Sequence, residues 1–206
     1  MHDFRVAHGA TELLLIRHGD AEHPVAPLED DPRTYDMPLT PRGRRQAKAL
    51  AERLRGRAIG ALYSSPLRRT RETADIVSAE LGIAVSEDAR LREIEIAGAG
   101  PVALQDLADI AIARGGWSHL TGTESSASIR GRMREAIDAI VAACPQQRVA
   151  IVSHAGAINA YVCMLLDLKK DFFFPAGNTS ISIVRARDER RLIFSLNDIA
   201  HLESLA

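Results

Sequence analysis

Residues 13–19 read LLLIRHG, and this stretch decides the fold. Four aliphatic residues in succession are typical of a strand that is buried on both faces, as strands inside a parallel sheet are. The polar triplet Arg17-His18-Gly19 follows without a break, so the strand leads directly into a polar loop. Ligands of parallel sheets bind just beyond the carboxyl ends of the strands. Arg17 and His18 are therefore the first candidate site residues.

The same change from a buried strand to polar residues occurs twice more. Residues 58–63 predict a second strand, Ser64-Ser65-Pro66 predicts a cap, and Arg69 is expected one turn into the helix that follows. Residues 148–152 predict a third strand, which ends at Ser153-His154 before a long apolar helix to Leu166. Strands that alternate with helices predict an α/β fold with a mainly parallel sheet covered on both faces.

Further elements complete this prediction. Thr40-Pro41 is a typical helix start and predicts a helix to about Arg55. Helices are also expected near 102–114 and 125–144, and a closing hairpin over 179–184 and 191–196. A length of 206 residues fits a single domain, 1–206, with a small cap of loop and helix at about 95–125.

Composition narrows the classes of partner. Hydrophobic residues make up 46% of the chain and the net charge is −1, so no long-range field favours nucleic acid or a membrane. Residues 42–57 hold seven cations against Glu52 alone, and without interleaved aromatic residues we interpret them as the solvated face of a helix. No signal peptide or membrane-spanning stretch is apparent, and Cys144 and Cys163 fit reduced packing residues, so we expect a cytoplasmic protein.

The side chains at the strand ends suit a phosphoryl group. Arg17 and Arg69 would supply planar guanidinium forks for its oxygens. His18, on a tight loop before Gly19, can attack phosphorus as a neutral imidazole whose other nitrogen is hydrogen-bonded. His154 would face it and donate a hydrogen bond to a phosphoryl oxygen.

The leaving alcohol also needs a proton. Glu93 is our first candidate for this acid, Glu95 the second and Asp20 the third, because a carboxyl group partly desolvated among other acids can keep its proton near neutrality. A purely structural alternative for Glu93 is an ion pair with Arg90 or Arg92. The remaining histidines match no metal-ligand spacing, so neither a metal nor another cofactor is expected.

Five segments together resemble the histidine phosphatase superfamily, also called the phosphoglycerate mutase-like family. They are residues 14–19 (LLIRHG), 39–47 (LTPRGRRQA), 63–74 (YSSPLRRTRETA), 91–93 (LRE) and 152–156 (VSHAG), in family order and at family-like spacing. The resemblance implies a three-layer sandwich with a central, mainly parallel sheet. It also implies a phosphohistidine intermediate on His18, a phosphate pocket of Arg17, Arg69 and His154, and an acid at Glu93.

Departures from the family pattern bear on the substrate. The Trp-Glu-Gly that usually follows the acid is absent, Pro24 stands where a polar residue is common, and Thr70 and Ala155 are small changes beside Arg69 and His154. We therefore favour a phosphatase acting on a small phosphomonoester. A phosphoglycerate mutase and a protein phosphohistidine phosphatase remain alternatives, a non-enzymatic binding module ranks last, and homodimers are common in the family.

Overall fold

The structure is a computed structural model that describes residues 9–22, 36–95, 113, 116 and 122–205. Within these residues one six-stranded sheet has the order β3-β2-β4-β1-β5-β6. The strands are β1 (Thr11–Arg17), β2 (Ile59–Ser64), β3 (Val85–Glu87), β4 (Arg148–Ser153), β5 (Ile181–Arg187) and β6 (Arg190–Asp198). The first four pair in parallel, and β5 runs antiparallel to both β1 and β6. The predicted mainly parallel sheet and its closing hairpin are confirmed.

Four α-helices lie in the described part of the chain. They are α1 (Pro41–Leu54), α2 (Arg68–Leu81), α3 (Ser126–Ala143) and α4 (Ala155–Leu165). Thr40 caps α1 as predicted, since its side chain accepts a hydrogen bond from Gly43 N at 3.0 Å. The prediction for α2 is wrong in detail. Leu67 is its N-cap and makes no side-chain bond, so Arg69 is the second residue of the helix and not one turn inside it.

The two faces of the sheet carry separate halves of the core. Leu13 and Leu15 of β1 pack in a cluster with α3 and α4, whereas Leu14 and Ile16 pack in a cluster with α1 and α2. Side chains of a strand alternate between its faces, so β1 contributes to both clusters. The expected three-layer sandwich is confirmed.

A buried ion cluster fixes β1 in the sheet at the edge far from the polar loops. The carboxylate of Glu12, which is 1% exposed, accepts hydrogen bonds from Arg148 Nε of β4 at 2.5 Å and from Arg185 Nε of β5 at 2.9 Å. Buried charges are tolerated when they are paired in this way. The cluster therefore favours one register of the three neighbouring strands.

The strand register brings the predicted polar loops to the opposite edge. Arg17 pairs with Ser153, and Ser64 pairs with Val152, so β1, β2 and β4 end at the same level. The exposed side of α1 carries its cations, in agreement with the solvated-face interpretation. No helix among the described residues is long and apolar enough to span a membrane. Apart from residue 113, the predicted helix at 102–114 lies outside the described residues, as does most of the cap at 95–125, and the cap stays a prediction.

Candidate active site

His18, the candidate nucleophile, is held in one tautomer by two contacts. Its Nδ1 lies 2.6 Å from the carbonyl oxygen of Gly19, which can only accept, so Nδ1 carries the proton. Arg69 Nε donates to Nε2 at 3.2 Å, which requires a lone pair there. Both contacts indicate a neutral imidazole, the form that can act as a nucleophile through Nε2.

The backbone of the His18 loop is equally constrained. The carbonyl of His18 accepts from Thr179 N at 3.2 Å and from Asn178 Nδ2 at 3.3 Å. Gly19 N donates to Thr73 Oγ1 of α2 at 3.1 Å. A Cβ at position 19 would lie 2.7 Å from the carbonyl oxygen of Gly43, so a glycine is needed for the loop to pass the first turn of α1. Three separate parts of the chain, residues 178–179, α2 and the first turn of α1, thus constrain the loop of this histidine.

His154 follows β4 as predicted and faces His18, with ring centroids 5.2 Å apart and an angle of 62° between the rings. Its side chain is completely buried, and Nε2 lies 2.9 Å from Ser65 Oγ. Burial, and then the charges of Arg69 and its neighbours, lower the pKa of His154 well below its usual value. Nδ1 has no hydrogen-bond partner among the described residues, which leaves it available to a ligand.

The two arginines lie around this pair of rings. Arg17 NH1 donates to the carbonyl of Ala176 at 2.7 Å, and its Nε is buried with no partner in the described part of the chain. Burial lowers the pKa of Arg17 and Arg69, and Glu93 opposes this effect at both. Both guanidinium groups remain cationic because arginine does not lose its proton in proteins. Two half-buried cations beside two imidazoles favour a bound anion.

Glu93 lies at the same edge, at the start of α4. Its Oε2 accepts from Gly156 N at 3.2 Å and its Oε1 from Ala157 N at 3.0 Å, two of the free N–H groups of the helix N-terminus. The described neighbours of this carboxylate are backbone N–H groups and the two site arginines, and the expected surroundings of other acids stay a prediction. Neither suggested ion pair forms, since Arg90 pairs with Asp88 and Arg92 with Glu95.

The other two candidate acids have different surroundings. The side chain of Glu95 is 66% exposed, and its contact with Arg92 lies on the surface. Asp20 accepts from the Thr40 hydroxyl at 2.7 Å and so belongs to the cap of α1. Of the three carboxylates, Glu93 is the one that contacts α4, the helix that begins directly after His154.

Several residues that sequence reasoning missed support the site. Ser65 was interpreted as a helix cap but binds His154, and Thr73 and Asn178 hold the His18 loop. The only signal for Ser65 and Thr73 was their place inside the 63–74 motif. Among the described residues, no group of three or more His, Cys, Asp or Glu side chains could hold a metal ion.

Comparison with known proteins agrees with this geometry. The family model of the histidine phosphatase superfamily (branch 1) matches residues 13–199. The chain belongs to this superfamily. The prediction of a histidine phosphatase is thereby confirmed at the level of the family.

Relatives of this histidine phosphatase include both phosphatases and mutases. It is 29% identical to phosphoserine phosphatase 1 of Hydrogenobacter thermophilus over 93% of this chain and 94% of that protein. It is 30% identical to a probable phosphoglycerate mutase GpmB of Proteus mirabilis over 95% and 96% of the two chains.

Two solved structures of similar proteins are of phosphatases. A mycobacterial glucosyl-3-phosphoglycerate phosphatase is 26% identical with a TM-score of 0.75, and the match covers 90% of this chain and 98% of that one. A phosphoserine phosphatase from Entamoeba histolytica, solved with phosphoserine, is 25% identical with a TM-score of 0.75 and coverage of 93% and 99%.

Proposed function

We propose that this histidine phosphatase hydrolyses small phosphomonoesters through a phosphohistidine intermediate on His18. The observation that carries the proposal is the fixed tautomer of His18, with its proton on Nδ1 and its lone pair on Nε2 next to Arg69. A histidine that only stabilised a bound anion would act as a donor. Here the nitrogen that faces the arginine is an acceptor and can form a bond to phosphorus.

In the first half of the proposed reaction the phosphoryl group lies between Arg17, Arg69 and His154. Nε2 of His18 attacks phosphorus, the bond from phosphorus to the ester oxygen breaks, and that oxygen takes a proton from Glu93. Arg17 and Arg69 stabilise the equatorial oxygens, and His154 donates to one of them through Nδ1–H. The products of this step are the free alcohol and phosphohistidine.

In the second half a water molecule attacks the phosphohistidine. Glu93, now ionised, accepts the proton of that water as the bond from phosphorus to Nε2 breaks, and inorganic phosphate is released. The same carboxyl group therefore serves first as the acid and then as the base. Its placement against Gly156 N and Ala157 N supports this assignment over Glu95, which is directed to solvent.

The relatives support the proposed substrate class. Those named above are phosphatases of phosphoserine and of glucosyl-3-phosphoglycerate and a probable phosphoglycerate mutase. Each of these named substrates carries a phosphoryl group on a small polar molecule. We favour hydrolysis over mutase activity because a mutase must shield the intermediate from water, and the sequence lacks the Trp-Glu-Gly pattern. We further propose a cytoplasmic enzyme with no nucleic acid or membrane partner, and a homodimer is the assembly to test first.

The decisive test is to trap the intermediate. Brief incubation with a ³²P-labelled phosphomonoester in excess EDTA, followed by an alkaline quench, should label the wild-type protein with acid-labile phosphate, and His18→Ala should remain unlabelled. Absence of label and of released phosphate across a panel of sugar, hydroxy acid and amino acid phosphates would contradict the proposal. Exchange between 2- and 3-phosphoglycerate that is faster than net phosphate release would favour the mutase.

A further inference from the structure

Arg132 on α3 uses all five of its N–H donors on the loop that carries Glu93 and on one carboxylate. NH1 donates to the carbonyls of Arg90 and Arg92, both at 2.7 Å, and NH2 donates to the carbonyl of Glu93 at 3.0 Å. Nε and NH2 also donate to the two carboxylate oxygens of Glu124, at 2.8 and 2.7 Å. The side chain is 18% exposed, and that of Glu124 is 10% exposed.

The loop that carries Glu93 depends on these contacts because it is not part of a helix or sheet whose regular hydrogen bonds would satisfy its backbone. Residues 92–95 belong to no helix or strand, so their backbone groups need partners from elsewhere. Arg132 supplies donors to three carbonyls, and Glu124 N donates to the carbonyl of Glu95 at 2.7 Å. The Arg132–Glu124 pair therefore fixes the backbone on both sides of the Glu93 side chain.

The side chain of Glu93 has a second, independent anchor. Its carboxylate rests on the first N–H groups of α4, the helix that begins directly after His154. With the backbone held from α3 and the carboxylate held from α4, the distance from the carboxylate to the phosphoryl site is set by two elements. A proton donor displaced by about 1 Å can lose roughly two orders of magnitude in rate.

We infer that Arg132 is a positioning residue for the proton-donating step, and this inference rests on the proposed function of Glu93. Arg132 contacts neither His18 nor the site arginines in the described structure, so it acts through the loop. Its loss should impair transfer of the proton to the leaving group while phosphoryl transfer to His18 continues. Lysine cannot replace it, because an ammonium group lacks the planar five-donor fork.

The choice of substrate separates this role from a general loss of stability. The departing oxygen of an alkyl phosphate such as phosphoserine needs a proton, whereas p-nitrophenolate leaves without one. Arg132→Lys should lower kcat/KM for the alkyl ester by about 10- to 100-fold and kcat/KM for p-nitrophenyl phosphate by less than about threefold, because kcat/KM reports the first half-reaction and not the later attack of water that both substrates share. Glu93→Gln should show the same selectivity to a greater degree.

Arg130, two residues earlier on the same helix, offers a matched control. It donates to the carbonyls of Leu168 and Lys170, at 2.9 and 2.8 Å, and pairs with the buried Asp171 at 3.0 Å. Arg130→Lys thus removes a comparable clamp that does not touch the Glu93 loop. It should affect the two substrates equally, whatever its effect on the free energy of unfolding.

A double-mutant cycle completes the test. If Arg132 acts through Glu93, the double variant Glu93→Gln/Arg132→Lys should be no slower on the alkyl ester than Glu93→Gln alone. Equal losses on both substrates in Arg132→Lys, or full additivity in the double variant, would overturn the inference. If Glu93→Gln itself shows no selectivity between substrates, the assignment of Glu93 fails as well, and this outcome is distinct from failure of Arg132 alone.

Discussion

Arg69 Nε donates to Nε2 of His18 at 3.2 Å, so the guanidinium proposed to hold the phosphoryl group also contacts the nitrogen proposed to attack it. This contact directs the lone pair of Nε2 toward the arginine. Burial, and after it the same positive charge, lowers the pKa of the neighbouring His154. One arginine therefore contacts the proposed nucleophile and adds to the effect of burial on the histidine proposed as an uncharged donor.

Substitution of Arg69 should change both kinetics and titration. We expect Arg69→Gln to lower kcat/KM by about 100-fold or more, since a charged donor to the transferring group is lost. The pKa of His154 should rise, because removal of a nearby cation makes the imidazolium less unfavourable. Phosphatase assays and NMR titration of the His154 ring measure the two effects. Arg68→Gln, at an exposed neighbour paired with Glu72, is the control; a His154 pKa that did not move would contradict this account.

Stability should depend on pH through His154. Its pKa is lowered in the folded protein, first by burial, whereas in the unfolded chain it is near 6.5. The unfolded state therefore binds the proton more readily, and the free energy of unfolding falls as the pH drops below about 6.5 toward the folded pKa. Urea midpoints at about pH 7.5 and about pH 5.5 measure the slope. His154→Gln should reduce it, and an unchanged slope would show that other groups cause the dependence.

Ser65→Ala removes a single oxygen atom, and we expect it to lower both the free energy of unfolding and kcat. The substitution leaves Nε2 of a fully buried His154 without its partner, and an unsatisfied buried group costs about 1–3 kcal/mol in the free energy of unfolding. The ring also loses the contact that orients it, so we expect about a tenfold drop in kcat. Ser78→Ala removes a comparable bond, to the carbonyl of Ile83, far from the strand ends. Equal kcat values for the two variants would contradict a role for Ser65 in the site.

Sequence patterns predicted the sheet because a strand that is buried on both faces is a continuous run of aliphatic residues. The aliphatic run before Arg17 belongs to a central strand, and the changes to polar residues at 17, 64 and 153 all lie at one sheet edge. Thr40-Pro41 predicted its helix start because capping depends on residues close in sequence. Strand-end position was therefore enough to bring His18, His154, Arg17 and Arg69 into one candidate site.

Contacts between distant residues were not predictable in this way. Ser65 and His154 are 89 positions apart, and Arg132 is 42 positions from Arg90, so no local pattern connects them. The surroundings of Glu93 were missed for a related reason: its partners are backbone N–H groups, which every residue except proline carries. The start of α2 was misplaced because Ser64-Ser65-Pro66 has the composition of a helix cap. A serine hydroxyl can also bind other partners, and the hydroxyl of Ser65 binds His154.

Two glycines test whether the tight approach at the His18 loop matters for activity. A Cβ at Gly19 would lie 2.7 Å from the carbonyl oxygen of Gly43, whereas a Cβ at Gly131, inside α3, would meet nothing within 4 Å. Gly19→Ala must push the loop away from α1, and a displacement of about 1 Å at His18 should lower kcat roughly 100-fold. Gly131→Ala should instead raise the free energy of unfolding by about 0.5–1 kcal/mol, because alanine favours a helix interior.

Chemical denaturation and phosphatase assays on both variants separate the two effects. If Gly19→Ala retained full activity, the position of His18 would not depend on the contact between its loop and the first turn of α1. The proposal would then rest on the hydrogen bonds that the same loop forms with Thr73, Asn178 and Thr179.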